Sequence, residues 1–192
     1  DRFGMAITDT LLMTSRDRRT FRRGDEAFLR PGPQRPGSWA YGNAQLAWGM
    51  VETASALPGA PKELSLYVGE SMWTDHRCAL RRHTLRLDGF MSMTAPLSGG
   101  EFITKPLIFE GSRLMLNFST SAAGSIRVEI QDVTGRPLAG FSLADCDEVF
   151  GDEIKRTVTW RGGESDVSSL AGQAVRLRFV MTDADLFSLR FV

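Results

Sequence analysis

The stretch DCDEVFGDEIKRTVTW, Asp145 to Trp160, sets five carboxylates (Asp145, Asp147, Glu148, Asp152, Glu153) within nine residues and then becomes an alternating, strand-like run. Glycoside hydrolysis needs two carboxyl groups on opposite sides of the scissile bond, roughly 5 to 10 Å apart, and separate strands normally fix that distance. Five acids in one loop repel one another and stay solvated, so the cluster is a poor catalyst. A hard cation suits it better, because calcium takes six to eight oxygens, often from one acidic loop. The spacing is not that of an EF-hand. Asp145, Asp147 and Asp152 are therefore either calcium ligands or members of a solvated loop whose carboxylates accept backbone N–H groups, as at Gly151-Asp152. The capping loop is the expectation, with structural calcium as its alternative and no other cofactor. Asp183-Ala184-Asp185 reads as an Asx turn before a last strand, able to join that cation site if the loops meet.

A second candidate is Glu70, in LSLYVGESMW, with Tyr67 before it and Trp73 after it. Aromatic faces stack on the C–H faces of a sugar, while a carboxylate binds hydroxyls or protonates a leaving group. The bland alternative is a strand-end Glu beside two core aromatics. Trp39, Tyr41 and Asn43, in SWAYGN, form a similar set on a loop rich in Pro and Gly. His76 and His83 have no Cys or Asp at ligand spacing, so neither reads as a zinc ligand. His83, in RRHTLRL, reads as a surface residue on the polar face of a strand. No Gly-x-Ser-x-Gly, P-loop or GxGxxG occurs.

The elements that must carry these residues are strands. Apolar residues alternate with polar ones over Leu85–Met93, at Leu114, Leu116 and Phe118, at Ile126, Val128 and Ile130, at Val175, Leu177 and Phe179, and at Phe187, Leu189 and Phe191. Each run is a half-buried antiparallel strand. Ser98-Gly99-Gly100, Glu110-Gly111-Ser112, Ala123-Gly124, Thr134-Gly135-Arg136-Pro137 and Gly162-Gly163 read as the turns between them. The best short helical candidates are Asp166–Leu170, stopped by Gly172, and the acidic stretch itself. Arg127, Glu129, Arg176, Arg178 and Arg190 fall on the polar phase and form one face, read as the wet side of a sheet, a concave sugar-binding surface or the side that docks against a propeller. The fold class expected is all-β: an antiparallel, jelly-roll-like sandwich over 80–192. Residues 1–79 read as hairpins, beginning with a strand, a turn at Ser15-Arg16-Asp17 and a second strand. Then come a Pro/Gly loop and the strands within AQLAWGMVETAS and ELSLYVGESMW.

Composition narrows the partners. The chain has 192 residues with 23 basic and 23 acidic side chains, so its formal charge is zero. That balance gives no general attraction to nucleic acid or to an anionic membrane, and no apolar run approaches the roughly 18 residues of a spanning helix. Basic residues are almost all Arg, spread along the chain. Cys78 and Cys146 make no CxxC and no disulfide framework, and read as two free buried thiols, with a single bridge between them as the alternative. The chain begins at Asp1 rather than Met, as a trimmed or excised segment would.

The hairpin LMTSRDRRTFRR resembles the blade hairpin of five-bladed-propeller glycosidases and of related sialidase-like propellers. RLDGFMSMTAP, GGEFITKPLIFEGSRLMLNFSTSAAGSIRVEIQD, GFSLADCDEVFGDEIKRTVTW and LAGQAVRLRFVMTDADLFSLRF resemble a β-sandwich that follows such a propeller in large bacterial proteins. The resemblance implies the last blade or two plus the sandwich of a glycosyl-hydrolase-like protein, with upstream blades and an oligo- or polysaccharide as partners. It implies a secreted or periplasmic setting. In those glycosidases the nucleophile or base comes from the first blade, which by this resemblance lies outside the chain. The chain is then expected to lack a complete active site of its own, with Glu70 at most one wall of a sugar cleft. A non-catalytic carbohydrate-binding module and a protein-interaction scaffold are the other readings.

Overall fold

A computed structural model describes residues 7–35, 39, 44–71 and 78–192. The chain divides into two compact units, Asp1–Arg86 and Leu87–Val192. Every sheet is antiparallel, and the one helical piece among the described residues is a 3-10 turn at Ser168–Leu170. It sits where the Asp166–Leu170 signal lies; Asp166 Oδ1 accepts the Ser168 N–H at 2.8 Å.

The first unit opens with a hairpin of β1 (Thr10–Thr14) and β2 (Arg22–Leu29). Its turn falls at the expected Ser15-Arg16-Asp17. Asp17 Oδ1 accepts the N–H groups of Arg19 (2.8 Å) and Thr20 (2.7 Å) and the Ser15 hydroxyl (3.0 Å). That is the way a short acidic side chain closes a turn. A second sheet has β5 (Glu63–Glu70) at its centre, β6 (Ala79–Arg86) along one edge, and two short strands, β3 (Gln45–Leu46) and β4 (Val51–Thr53), along the other. AQLAWGMVETAS thus gives two strands instead of one. The interruption is a bulge: five steps from Leu46 to Val51 answer three from Val68 to Ser65, and Gly49, at φ 90°, makes the excursion. Only glycine adopts that conformation without strain, and the bulge leaves Trp48 fully exposed.

Because β6 pairs along its whole length with β5, from Glu63↔Arg86 to Glu70↔Ala79, it belongs to the first unit. The division therefore falls at Arg86/Leu87, where a boundary at 79/80 was expected. The single strand expected over Leu85–Met93 is broken by a turn after Arg86; Asp88 there has φ 55°.

The second unit is one curled, half-barrel sheet. Its strands are β7 (Met93–Ala95), β8 (Gly100–Ile103), β9 (Leu114–Gln131), β10 (Asp152–Thr157) and β11 (Arg176–Phe191). The order is β10-β9-β11, with β7 and β8 both on the far side of β11. The four runs expected as separate strands around Ala123-Gly124 and Asp183-Ala184-Asp185 are two long bent ones. At the corner Thr182 pairs with Ser125 and Ala184 with Thr120, so Ser121–Gly124 answer the single residue Asp183. Gly124 is required here by proximity: a Cβ would come within 2.8 Å of the Thr182 carbonyl oxygen and closer still to that of Asp183. Asp183, at φ 40°, takes the bend on the facing strand. Strands that pass from one half of a sheet to the other through bulges are how such corners are built.

Inside the curl, Leu114, Leu116 and Phe118 from one half of β9 meet Ile126, Val128 and Ile130 from the other, together with Leu177, Phe179, Met181, Val158 and Trp160. These side chains are at most 2% exposed. Trp160 Nε1 donates to the Val128 carbonyl at 3.0 Å, and its ring meets Phe141 edge-on. At roughly 25 cal/mol per Å² of apolar surface removed from water, this core dominates the unit's stability.

Candidate functional site

The side chains that converge on a cavity lie in the first unit. Strand alternation puts Leu66, Val68 and Glu70 of β5 on one face, and pairing places His83, Arg81 and Ala79 of β6 opposite them. The end of β2 and the residues after it, Leu29, Arg30, Pro31 and Arg35, supply another wall, with Ala44 and Ser71 beside them. The enclosed volume is about 240 Å³. Val68, 2% exposed, anchors the apolar side together with Leu29 and Ala44.

Glu70 is fixed by its neighbour: Arg81 Nε donates to Glu70 Oε1 at 2.7 Å. The hydrogen bond from Arg81 holds the Glu70 carboxyl below the usual carboxylate range, aided by the charges of Arg81, Arg35 and His83 and opposed by partial burial. The same bond raises the Arg81 guanidinium. An ionised, paired carboxylate accepts hydrogen bonds from hydroxyls and has no proton to deliver to a leaving group. Of the two roles foreseen for Glu70, this geometry suits the first.

Tyr67 does not join it. Three residues from Glu70 on one strand means opposite faces, and Tyr67 is half exposed on the far side, paired across from Arg82. That face carries a polar clamp. Arg82 Nε donates to Ser65 Oγ (2.7 Å), and its Nη2 donates to Thr53 Oγ1 (3.0 Å) and Glu63 Oε1 (2.7 Å), tying β4, β5 and β6 together. Trp39 is half-buried and gives its indole N–H to the Gly32 carbonyl at 2.9 Å, bracing its own loop. Tyr41, Asn43, Trp73 and His76 lie outside the described residues.

His83 is misplaced by the sequence reading. It faces the cavity instead of solvent, and its Nε2 is buried with no hydrogen-bond partner. The signal that places it is Leu85, two residues on and in the same phase, whose apolar side chain marks the inward face. Trp48, taken only as a strand residue, is the other omission; the Gly following it was the cue to a bulge.

The acidic stretch is dispersed among separate partners. Asp145 accepts the Ser142 hydroxyl (2.7 Å) and faces Arg161 (3.6 Å). Asp147 accepts the Thr159 hydroxyl (2.6 Å) and the Gly162 N–H (3.0 Å). Those bonds, the hydroxyl of Ser142 for one and of Thr159 for the other, hold both carboxyls below their ordinary range. Glu148 pairs with Arg127 and Glu153 with Arg156, while Asp152 opens β10 opposite Ser119. Among the described residues no three His, Cys, Asp or Glu converge as a metal site would require.

Part of the expected wet face is roofed over. Glu129 is buried and accepts the Leu143 N–H (3.1 Å) and the Gln131 side-chain amide (2.7 Å). Arg178 lies 3.6 Å from it and donates to Glu101 at 2.6 Å. Arg190 pairs with Met115 in the other half of the sheet. Cys78 and Cys146 are both free thiols, but only Cys146 is buried, which pushes its pKa up to about 11; Cys78, just before β6, is exposed where a buried thiol was expected.

Compared with protein-family models, curated proteins and solved structures, the chain gives no match.

Proposed function

We propose that the chain is a carbohydrate-binding part of a glycoside-hydrolase-like protein, with the Glu70 cavity as its sugar site and the curled sheet of residues 87–192 as a structural element. The observation that carries this is the Glu70–Arg81 pair at a cavity walled by Leu29, Ala44 and Val68. A pre-oriented acceptor and donor beside an apolar wall is what a ring with C–H faces and hydroxyl edges needs. Binding without cleavage is the activity expected, because the described carboxylate at the cavity is already held ionised by an arginine. The test is calorimetric titration of the intact chain with mono- and oligosaccharides, beside hydrolysis assays on the same sugars. Glu70→Gln is expected to weaken binding about tenfold, the loss of a charge-assisted hydrogen bond. Absence of binding to any sugar, or binding indifferent to Glu70→Gln, would remove the reading.

A scaffold role is the second reading, favoured by Val51, Tyr67 and Leu80, all exposed on the sheet face away from the cavity. An upstream propeller blade of a longer chain is the partner that face would take.

A further inference from the structure

We infer that β1 is a docking edge for a second copy of this chain, the two copies joining antiparallel about a two-fold axis at Leu12. Among the described residues the hairpin of β1 and β2 is a sheet of two strands, and no third strand lies along β1. A lone two-stranded ribbon is marginal in water, whereas three or more strands with an apolar face are stable.

The open edges of the molecule differ in how they are guarded. Proteins blunt an edge with charged side chains and with bulges. β2 has both: Arg22, Arg23, Asp25 and Glu26 are exposed along it, and it carries every extra residue of the hairpin. One step from Thr10 to Leu11 answers two from Leu29 to Ala27, and two from Leu11 to Met13 answer four from Ala27 to Arg23. Arg81, Arg82 and Arg86 guard β6. Asp152, Glu153, Lys155 and Arg156 guard β10, with a bulge between Glu153 and Arg156. β1, Thr-Leu-Leu-Met-Thr, has no charge and no inserted residue. The Thr10 hydroxyl donates to the Ala44 carbonyl, which fixes the side of the ribbon that holds Thr10 and Leu12. Leu11 and Met13 lie on the other side and are exposed.

This strand is also its own complement. A two-fold axis normal to a sheet brings together residues that point to the same face, and each pair occurs twice. Centred on Leu12, it sets Thr10 opposite the partner's Thr14, Leu11 opposite the partner's Met13, and Leu12 opposite the partner's Leu12. Thr facing Thr and apolar facing apolar are favourable cross-strand pairs. The nearest charges, Asp9 and Arg16, fall opposite the partner's Ser15 and the partner's Thr8, so no like charges meet. Leu11 and Met13 of both copies then form one patch, and two ribbons become a sheet of four strands. Five residues of edge bury far less than the roughly 800 Å² each partner gives to a standard interface. The pairing is therefore weak and reversible.

The experiment is analytical ultracentrifugation of the intact chain from about 10 μM to 1 mM, the range a small interface calls for. The mass is expected to rise with concentration from one chain toward two. Leu11→Lys and Met13→Glu are each expected to weaken self-association about tenfold, because each spoils two cross-strand pairs per dimer. An equimolar mixture of the two variants is expected to recover it, since in this register the introduced lysine faces the introduced glutamate. A monomer at every concentration overturns the inference. So does self-association indifferent to both substitutions, which would mean that another surface carries the contact. A mixture no stronger than either variant alone overturns the register and the docking edge with it. Thermal melts establish that the variants fold. Should either fail, amide exchange on the parent chain decides: protection at β1 should grow with chain concentration while that at β6 holds constant, and no gain at β1 overturns the inference.

Discussion

The two units bury their strands by opposite means. In residues 87–192 the strands are long, and β9 and β11 run through both halves of one curl, so a single cluster of large apolar side chains serves the whole unit. In residues 1–86 the strands are short, and the fully buried hydrophobic residues described there are Ala44, Leu66 and Val68. Order in the first unit leans on polar ties: Asp17 in the hairpin turn and Arg82 across three strands. Trp48, Leu57 and Leu80 stand in water. The difference teaches where a binding site is tolerated. A cavity lined by a buried imidazole nitrogen without a hydrogen-bond partner costs stability, and it lies in the unit whose order rests on local polar ties.

Three changes would break or sharpen that contrast. The largest effect is expected from Gly124→Val, which drives a side chain into the Asp183 and Thr182 carbonyls at the corner. The second unit should lose about 3 kcal/mol or more. The check is denaturant unfolding with hydrogen exchange: amides of β9 and β11 should exchange faster, while those of β5 and β6 keep their parent rates. Slowed or unchanged exchange in β9 would mean the corner is not a fixed bend.

Arg82→Met is expected to act in the other unit and more weakly. Its side chain is more than a third exposed, so solvent screening limits the loss to about 1 kcal/mol. Faster exchange should appear in β4, β5 and β6 and nowhere in the curled sheet. The smallest effect belongs to Asp17. The N–H groups of Thr20 and Arg19, and then the Ser15 hydroxyl, hold its carboxyl well below the usual carboxylate range. A depressed folded pKa means that its support is complete above the unfolded value near 3.9 and is lost only as pH falls through the lower folded value. The Arg19 and Thr20 amides should thus stay protected from neutral pH to about 4 and loosen in stronger acid. Asp17→Asn should abolish that acid dependence, as followed by NMR of the two amides.

Much of this was legible in the alternation of apolar residues. The inward phase on β9 is even-numbered at Leu114, Leu116 and Phe118 and again at Ile126, Val128 and Ile130, which is compatible with one strand carrying an even-numbered excursion. On β11 the phase is odd through Met181, even at Ala184 and Leu186, and odd again at Leu189. Those two slips are the bulges at Asp183 and Phe187. Reading Gly124 and the aspartates as turns treated short polar residues as chain reversals, when they mark close approach and a bend. Parity separates Tyr67 from Glu70 and turns His83 inward. The place of Arg30 and Arg35 beside β5 was not legible, because no periodicity encodes where the residues just after β2 lie.

The pairing of β9 with β11 also sets an order of events during synthesis. Leu114 finds its partner in Phe191, and Gln131 finds its own in Arg176. The inner rungs can close once residue 176 has left the ribosome, while the outermost rung must wait for residue 191. Until then Leu114, Leu116 and Phe118 sit on a half-made ribbon that β11 has yet to cover, a species open to clumping or chaperone capture.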